Sequence, residues 1–526
     1  MRTPLLVLAA ASVLFADNYP RQPGVDVQHY VFRVTLGDAS DAIEGETTVS
    51  VRFLQDGLAE LTLDLASPAN GKGMTVTAVA AGNSPAVYRH EADRLRITLN
   101  PPSKAGELRQ FTVKYHGVPA GGLLAVKNKF GDRCFFSVNW PNLAHQWLPT
   151  IDHPYDKATS EFIVTAPAKY QVVSNGRLQE EIDVGDGRRT THWKQSVPIA
   201  TWLDQIGVAQ FASRHFGRAA GVPLQTWVFP QDRDAGIIAL EEPTRQAIEF
   251  YNDHVGPYPY EKLAGVEAAG MGGGMEVASA IFYGERSITG RPAFSLVAHE
   301  TAHQWFGDSV TEKDWDDVWL SEGFATYFAL LTTEHYLGRD AFVAGLKSSR
   351  ERVFAAEKRL PGIAVVQNRA WSGIPNQIVY QKGGWVLHLL RGQIGTEKFW
   401  TGIREYYRRY RDGNASTADF EKVMQEVSGE DLGWFFQQWL YRAGSPVVDG
   451  TWHYNVEAKR VELALTQSQP GEAYRLPMEI GLDGKPARID MTAKQQSFEI
   501  PADKEPASVE LDPNTWVLMQ ANLARR

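Results

Sequence analysis

The chain has 526 residues, of which 43% are hydrophobic, so it is too long for one ordinary domain and has enough apolar residues for several cores. Its formal net charge is −9 at pH 7, and such an acidic chain lacks the basic face that binds nucleic acids. We therefore expect three folded domains and no nucleic-acid partner.

The first 16 residues resemble a secretory signal peptide. Arg2 precedes an apolar run from Leu5 to Phe15, and the small residue Ala16 follows. The run is shorter than the roughly 20 residues that span a bilayer, so we expect an exported protein, periplasmic or secreted, without an integral membrane span. The only cysteine, Cys134, cannot form an internal disulfide, so packing must hold the exported chain together.

Residues 17–215 predict an all-β domain. Short runs alternate between apolar and polar residues, as in residues 47–53 (TTVSVRF) and 61–65 (LTLDL). The runs are rich in β-branched and aromatic residues, and Gly, Pro, Asn and Asp separate them, which is the pattern of antiparallel strands.

Residues 216–443 predict a mainly helical domain with a small sheet. Helical spacing of apolar residues occurs at residues 243–255, 340–357, 380–394, 397–410 and 418–427. A strand at residues 263–266 leads to Gly272, Gly273 and Gly274, followed by Met275 and Glu276. Such glycines either form a flexible loop or allow another backbone to approach closely.

The sequence from His299 to His303, HETAH, has the H-E-x-x-H pattern. Residues four apart share a helix face, so these two histidines can direct imidazole nitrogens at one zinc ion. A hydrolytic zinc takes three protein ligands and a water, so a third ligand must come from elsewhere. Glu300 is rotated about 100° from His299, beside the metal, which suits a general base acting on metal-activated water.

Glu322 is the candidate third ligand. Residues 307–309 (GDS) end the zinc helix, and the apolar residues from Val318 to Phe328 predict a second helix. An antiparallel return would bring Glu322 back to the histidines. H-E-x-x-H alone is short enough to occur by chance on a surface helix, but with Glu322 we predict one Zn²⁺ per chain, held by His299, His303 and Glu322.

Residues 444–526 return to short alternating stretches and predict a small β-sandwich. The expected fold class is therefore a multidomain α+β protein. It has an N-terminal all-β domain, a mainly helical catalytic domain with a small sheet, and a small C-terminal β-sandwich.

These motifs together resemble the aminopeptidase N family of zinc aminopeptidases, within the gluzincin group. In that family a G-x-M-E-N stretch precedes the zinc helix and a Y-x-K-G stretch follows it. Residues 273–276 (GGME) and 380–383 (YQKG) match, whereas Val277 stands where the family has asparagine. The resemblance implies a thermolysin-like catalytic domain and hydrolysis of the N-terminal residue from peptides with a free N-terminus.

The resemblance also implies roles for individual residues. Glu276 would bind the free α-amine, and the edge formed by Gly273, Gly274 and Met275 would bind an extended substrate by strand addition. Tyr380 would donate a hydrogen bond to the oxyanion, although a tyrosine at the head of a helix is by default a half-buried packing residue. Asp316 or Asp317 would orient a zinc histidine.

Two alternatives stay open at this point. One is a catalytically inactive peptide-binding protein of the same fold, against which the intact Glu300 and Tyr380 argue. The other is a zinc endopeptidase of the thermolysin type, which would cleave peptides whose amine is blocked. No motif marks the oligomeric state or the preferred N-terminal residue.

Overall fold

The computed structural model describes residues 19–366 and 377–526, and the predicted signal peptide lies outside the described residues. A stretch of strands is followed by a mainly helical stretch with a small sheet, and then by strands again. This order confirms the predicted multidomain α+β fold class. The domain boundaries after residues 215 and 443 stay predictions. Within the described residues, no helix is both long enough and apolar enough to cross a bilayer.

The N-terminal stretch is almost entirely β-structure. Its strands are β1 (Val25–Thr35), β2 (Ile43–Phe53), β3 (Glu60–Asp64), β4 (Gly73–Ala81), β5 (Ser84–Pro85), β6 (Tyr88–Glu91), β7 (Arg94–Thr98), β8 (Leu108–Val118), β9 (Leu123–Lys127), β10 (Arg133–Ser137), β11 (Lys157–Pro167), β12 (Gln171–Ser174), β13 (Arg177–Gly185), β14 (Arg188–Ala200) and β15 (Ile206–Ala209). The largest sheet has the order β13-β14-β11-β1-β2-β8-β4-β5. Every second side chain of β11 is buried, as the alternating sequence pattern predicts.

A second sheet carries one wall of the candidate site. It contains β16 (Ala212–Ala219), β17 (Val222–Val228), β18 (Leu263–Ala268), β19 (Gly274–Met275) and β20 (Ala280–Gly284), in the order β16-β17-β18-β20-β19. Gly272 and Gly273 lie in a loop, and only the last glycine of the run lies in a strand, β19. This strand pairs with β20 and is at the edge of the sheet.

The helices follow and enclose the site. They are α1 (Arg233–Gly236), α2 (Glu242–His254), α3 (Phe294–His303), α4 (Trp319–Leu337), α5 (Arg339–Arg359), α6 (Gly383–Ile394), α7 (Thr396–Tyr410), α8 (Thr417–Ser428) and α9 (Gly433–Leu440), with two short strands, β21 (Val310–Glu312) and β22 (Gly413–Ala415). The long helix α4 packs against α3, α5 and α6. A Cβ atom on Gly323 would lie 2.9 Å from the backbone of Gly383, so only glycine permits this approach of α4 to the start of α6.

The C-terminal stretch forms two small sheets. Its strands are β23 (Val447–Asn455), β24 (Arg460–Gln467), β25 (Leu476–Leu482), β26 (Lys485–Met491), β27 (Gln495–Pro501), β28 (Val509–Leu511) and β29 (Gln520–Arg525). They are ordered β27-β24-β23-β29 and β26-β25-β28, which agrees with the predicted β-sandwich.

Two lysines, the half-buried Lys157 and the buried Lys262, join the N-terminal strands to the helical part. Lys157 donates hydrogen bonds to the carbonyls of Asp308, Ser309 and Gly413. Lys262 donates to the carbonyls of Ser174 and Ser279. Burial lowers the pKa of Lys262 to about 7, because the charged form loses its hydration.

Candidate metal centre

His299 and His303 lie one turn apart on α3, and Glu322 lies near the start of the neighbouring helix α4. The Nε2 atoms of the histidines are 3.2 Å apart, and Glu322 Oε2 is 3.5 Å from His299 Nε2 and 3.4 Å from His303 Nε2. Ligand atoms of a tetrahedral zinc with bonds of about 2.1 Å are separated by about 3.4 Å. The three atoms therefore have the spacing of one zinc site, with the fourth position free for water or substrate.

The environment of these atoms also fits a cation. Glu322 Oε2 is buried and accepts no well-aligned hydrogen bond from the described residues. Burial raises the pKa of Glu322, but the close imidazoles of His299 and His303 outweigh this and bring it to about 2. A second set of donor atoms, from Glu276, Glu300 and His303, lies within 4.8 Å of one another. Three carboxylates around two imidazoles leave an excess of negative charge that a divalent ion would neutralise.

The hydrogen-bond partners of Nδ1 fix the tautomer of His303. Nδ1 lies 3.2 Å from the carbonyl oxygen of Phe306 and 3.0 Å from Ser321 Oγ. A carbonyl can only accept, so Nδ1 carries the proton and the lone pair of Nε2 is free for a metal. The expectation that Asp316 or Asp317 orients a zinc histidine is therefore wrong for His303. Asp317 Oδ1 accepts instead from the backbone and hydroxyl of Thr417.

Glu300 lies on α3 beside the metal ligands, and its carboxyl group rests against β19. A Cβ atom on Gly274 would lie 2.3 Å from Glu300 Cδ, so the absence of a side chain at Gly274 makes room for the carboxyl group. Burial, followed by the charge of Glu276, raises the pKa of Glu300 well above its usual value. Glu300 is thus a buried acid fixed between a strand edge and the predicted metal ligands.

Glu276 follows β19, and its side chain is only 6% exposed. The backbone that carries it is clamped by Gln304, the residue after His303. Gln304 Nε2 donates to the carbonyl of Glu276 at 3.2 Å and to Asp308 Oδ2 at 2.8 Å. Gln304 Oε1 accepts from the backbone N–H of Ser279 at 2.8 Å. One buried amide therefore ties the strand of Glu276 to the end of the zinc helix.

Tyr380 lies in a π-helical turn, Ile378–Lys382, that leads into α6. Its ring stacks on His299 with centroids 6.2 Å apart. Burial, followed by the charge of Glu322, raises the pKa of Tyr380 well above its usual value, so the phenol keeps its proton. Lys382 of the same motif is buried and donates to Glu357 Oε1 at 3.1 Å and to the carbonyl of Gly444 at 2.6 Å, which fixes the turn.

All but one of the predicted site residues line a single cavity of about 560 Å³. Its walls include Gly272, Gly273, Gly274, Glu276, His299, Glu300, His303, Glu322 and Tyr380. Met275 is the exception, because it is buried in the hydrophobic core and only its backbone takes part in the edge strand.

Comparisons with known families agree with this geometry. A model of the peptidase family M1 domain matches residues 239–439, and a model of the peptidase M1 N-terminal domain matches residues 26–203. Together they cover more than half of the chain. The chain belongs to peptidase family M1.

Its relatives include several named peptidases. Glutamyl aminopeptidase of Sus scrofa is 30% identical over 338 residues, which are 61% of this chain and 35% of the relative. A probable aminopeptidase 2 of Sulfurisphaera tokodaii is 26% identical over 70% of this chain and 49% of the relative. This M1 chain therefore spans about a third of the length of the glutamyl aminopeptidase that it matches.

Solved M1 structures match over a larger share of their own length. The M1 zinc metallopeptidase of Deinococcus radiodurans has a TM-score of 0.66 and 26% identity, covering 79% of this chain and 93% of that one. A mutant of the same enzyme, bound to a Tyr-Ser-Ala substrate, has a TM-score of 0.68 and 25% identity, covering 80% of this chain and 94% of that one.

Sequence reasoning missed two buried polar residues of this M1 site. Ser321, beside the predicted metal ligand Glu322, faces His303, and Gln304, beside the predicted ligand His303, holds the strand of Glu276. Both are polar residues next to a motif residue on a buried helix face, and that adjacency is the one signal that the sequence offered.

Proposed function

We propose that this M1 protein is a zinc-dependent aminopeptidase that removes the N-terminal residue from peptides. The observation that carries the proposal is the buried carboxylate of Glu276, which lies within 4.8 Å of the donor atoms of Glu300 and His303. Among the residues that line the cavity in the described part of the chain, no lysine or arginine pairs with it. A buried carboxylate needs a cation, and the terminal ammonium of a peptide supplies one.

The position of Glu276 makes the activity an exopeptidase activity. With the ammonium held at Glu276, only the first peptide bond of the substrate lies next to His299, His303 and Glu322. The edge of β19 supports this pose, because an extended peptide can add to it as a further strand. A peptide that lacks the ammonium would leave Glu276 buried and unpaired, which is costly.

The remaining residues perform the chemistry of hydrolysis. Zinc bound by His299, His303 and Glu322 would polarise the peptide carbonyl as a Lewis acid and lower the pKa of water. The positive charge of zinc and of the substrate ammonium at Glu276 would offset the burial and the neighbouring charge that raise the pKa of Glu300. Glu300 would then be ionised, accept the proton of the attacking water and return it to the leaving amine. The phenol of Tyr380, which keeps its proton, donates to the carbonyl oxygen as negative charge develops there.

The test compares two substrates that differ in one group. Leucine p-nitroanilide should be hydrolysed, whereas N-acetyl-leucine p-nitroanilide should be cleaved at least about 100-fold more slowly, because it cannot neutralise Glu276. In Glu276→Ala, kcat/KM for the free amine should fall by a similar factor while zinc content stays at one per chain. Equal hydrolysis of both substrates by the wild type would contradict the proposal and favour an endopeptidase.

We propose export to the periplasm or the medium on the sequence pattern of residues 1–16 alone. N-terminal sequencing of the protein recovered from its native host tests this. A mature chain that begins at or close to residue 17 supports export, and an intact Met1 in the active protein would contradict it.

A further inference from the structure

We propose that Arg352 binds a carboxylate on the leaving side of the substrate, so that the enzyme favours short peptides whose C-terminus lies two residues beyond the cleaved bond. This inference rests on the proposed aminopeptidase function. It concerns a part of the same cavity that takes no part in zinc binding or in holding the amine.

The charges of the cavity are arranged in two groups. Glu276, Glu300 and Glu322 provide its carboxylates, and all three surround the metal position. Arg352 is the one lysine or arginine among the cavity-lining residues that the structure describes. It is exposed, and within the described ranges it makes no ion pair or hydrogen bond. A peptide of two or three residues is a zwitterion. Its ammonium group can pair with Glu276 and its carboxylate with Arg352.

The helical hairpin of α4 and α5 sets the position of Arg352. Gly338 joins the two helices, and Gly345 of α5 lies against Leu330 of α4, since a Cβ atom there would be 2.5 Å from Leu330 Cδ2. Arg352 is seven residues beyond Gly345, which returns it by about 10 Å along the hairpin. It therefore lies approximately level with Glu322, which is eight residues before Leu330.

The distance across the cavity suits a tripeptide. Packed helices have axes about 8–10 Å apart, which sets the scale of the separation between α5, which carries Arg352, and α4, which carries Glu322. In an extended tripeptide cleaved after its first residue, the terminal carboxylate lies about 7 Å beyond the scissile carbonyl. The two lengths are similar, so the flexible arginine side chain can reach the carboxylate, and its planar guanidinium can donate two parallel hydrogen bonds to the carboxylate oxygens.

Four further wall residues of the cavity suit a peptide backbone. Thr326, Thr333, Ser295 and Ser348 line the same cavity, and each carries a small hydroxyl-bearing side chain. Hydroxyls can donate to or accept from peptide groups, and small side chains leave room for the chain. No carboxylate other than those at the metal position lines the cavity within the described ranges, so nothing there repels a substrate carboxylate.

The test uses Arg352→Gln with the tripeptide Leu-Ala-Ala, its C-terminal amide, and leucine p-nitroanilide. Lys347→Gln is the matched control, because Lys347 is exposed on the same helix and does not line the cavity. In R352Q, kcat/KM for the free tripeptide should fall about 5- to 10-fold, mainly through KM, while the amide and the anilide change by less than about 2-fold. K347Q should change none of the three.

A fourth substrate, the amide of Leu-Ala-Asp, separates two sources of the carboxylate. If R352Q slows only the free tripeptide, the group recognised is the C-terminus, as proposed. If it slows this acidic amide equally, Arg352 also accepts a side-chain carboxylate. Equal effects on the free tripeptide and its amide would overturn the inference. Wild-type protein that fails to hydrolyse the anilide would instead overturn the proposed function, so the two failures are distinguishable.

Discussion

Replacing Gly274 with alanine tests whether the edge strand sets the position of the general base. The new Cβ atom would lie 2.3 Å from Glu300 Cδ, whereas ordinary contacts begin at 3.4 Å. The Glu300 carboxyl group must therefore move by about 1 Å. A misplacement of this size costs about 100-fold in rate, because proton transfer depends on hydrogen-bond geometry. The flexible side chain can move without unfolding the protein, so stability should change little.

The assay measures kcat for leucine p-nitroanilide, zinc content and the melting temperature of G274A. Gly272→Ala is the matched control, because a Cβ atom at Gly272 meets no atom within 4 Å. We expect kcat of G274A to fall about 100-fold with one zinc per chain retained, while G272A stays within about 3-fold of the wild type. Equal activity of G274A and G272A would refute the reasoning that β19 fixes Glu300.

Two further predictions concern residues outside the catalytic motifs. Ser321→Ala removes one hydrogen-bond partner of His303 Nδ1 and leaves the carbonyl of Phe306 as the other. Zinc affinity, measured by competition with a chromophoric chelator, should therefore fall about 10-fold. Unchanged affinity would show that Ser321 does not orient His303. The pKa of Lys262 is about 7 in the folded chain and about 10.5 when unfolded, so the unfolded state binds more protons between these values and stability rises with pH there. From pH 7 to 9 the unfolding free energy of the wild type should therefore rise by about 2 kcal/mol relative to Lys262→Met in denaturant titrations. A constant difference between the two proteins would contradict a neutral buried Lys262.

Local geometry explains which features were predictable from the sequence. His299 and His303 face one point because an α-helix places residues four apart on one side, whatever surrounds it. The alternating runs of the N-terminal stretch likewise specify strands with one buried face, as β11 shows. The return of Glu322 to the histidines depends on packing between two helices, and the motif spacing indicated it before the structure placed the residue there.

Contacts between distant residues explain what was missed. Asp317 lies close to the metal ligands in sequence, yet its hydroxyl partner Thr417 is 100 positions away, so proximity along the chain misled the prediction. Gln304 reaches back 28 positions to the backbone of Glu276, and no periodicity encodes a buried amide clamp of this kind. The narrow contact between Gly323 and Gly383, which brings the turn of Tyr380 to the metal ligands, is equally invisible until the helices are packed.

The most direct test of the central claim is one measurement on Glu300→Gln, namely zinc content and turnover of leucine p-nitroanilide in the same preparation. Glutamine keeps the size of the side chain but cannot accept the proton of water. The account predicts one zinc per chain, because His299, His303 and Glu322 are intact, together with a loss of turnover of at least about 1000-fold. Turnover equal to that of the wild type would contradict the assignment of Glu300, and loss of zinc would contradict a site made of the other three residues alone.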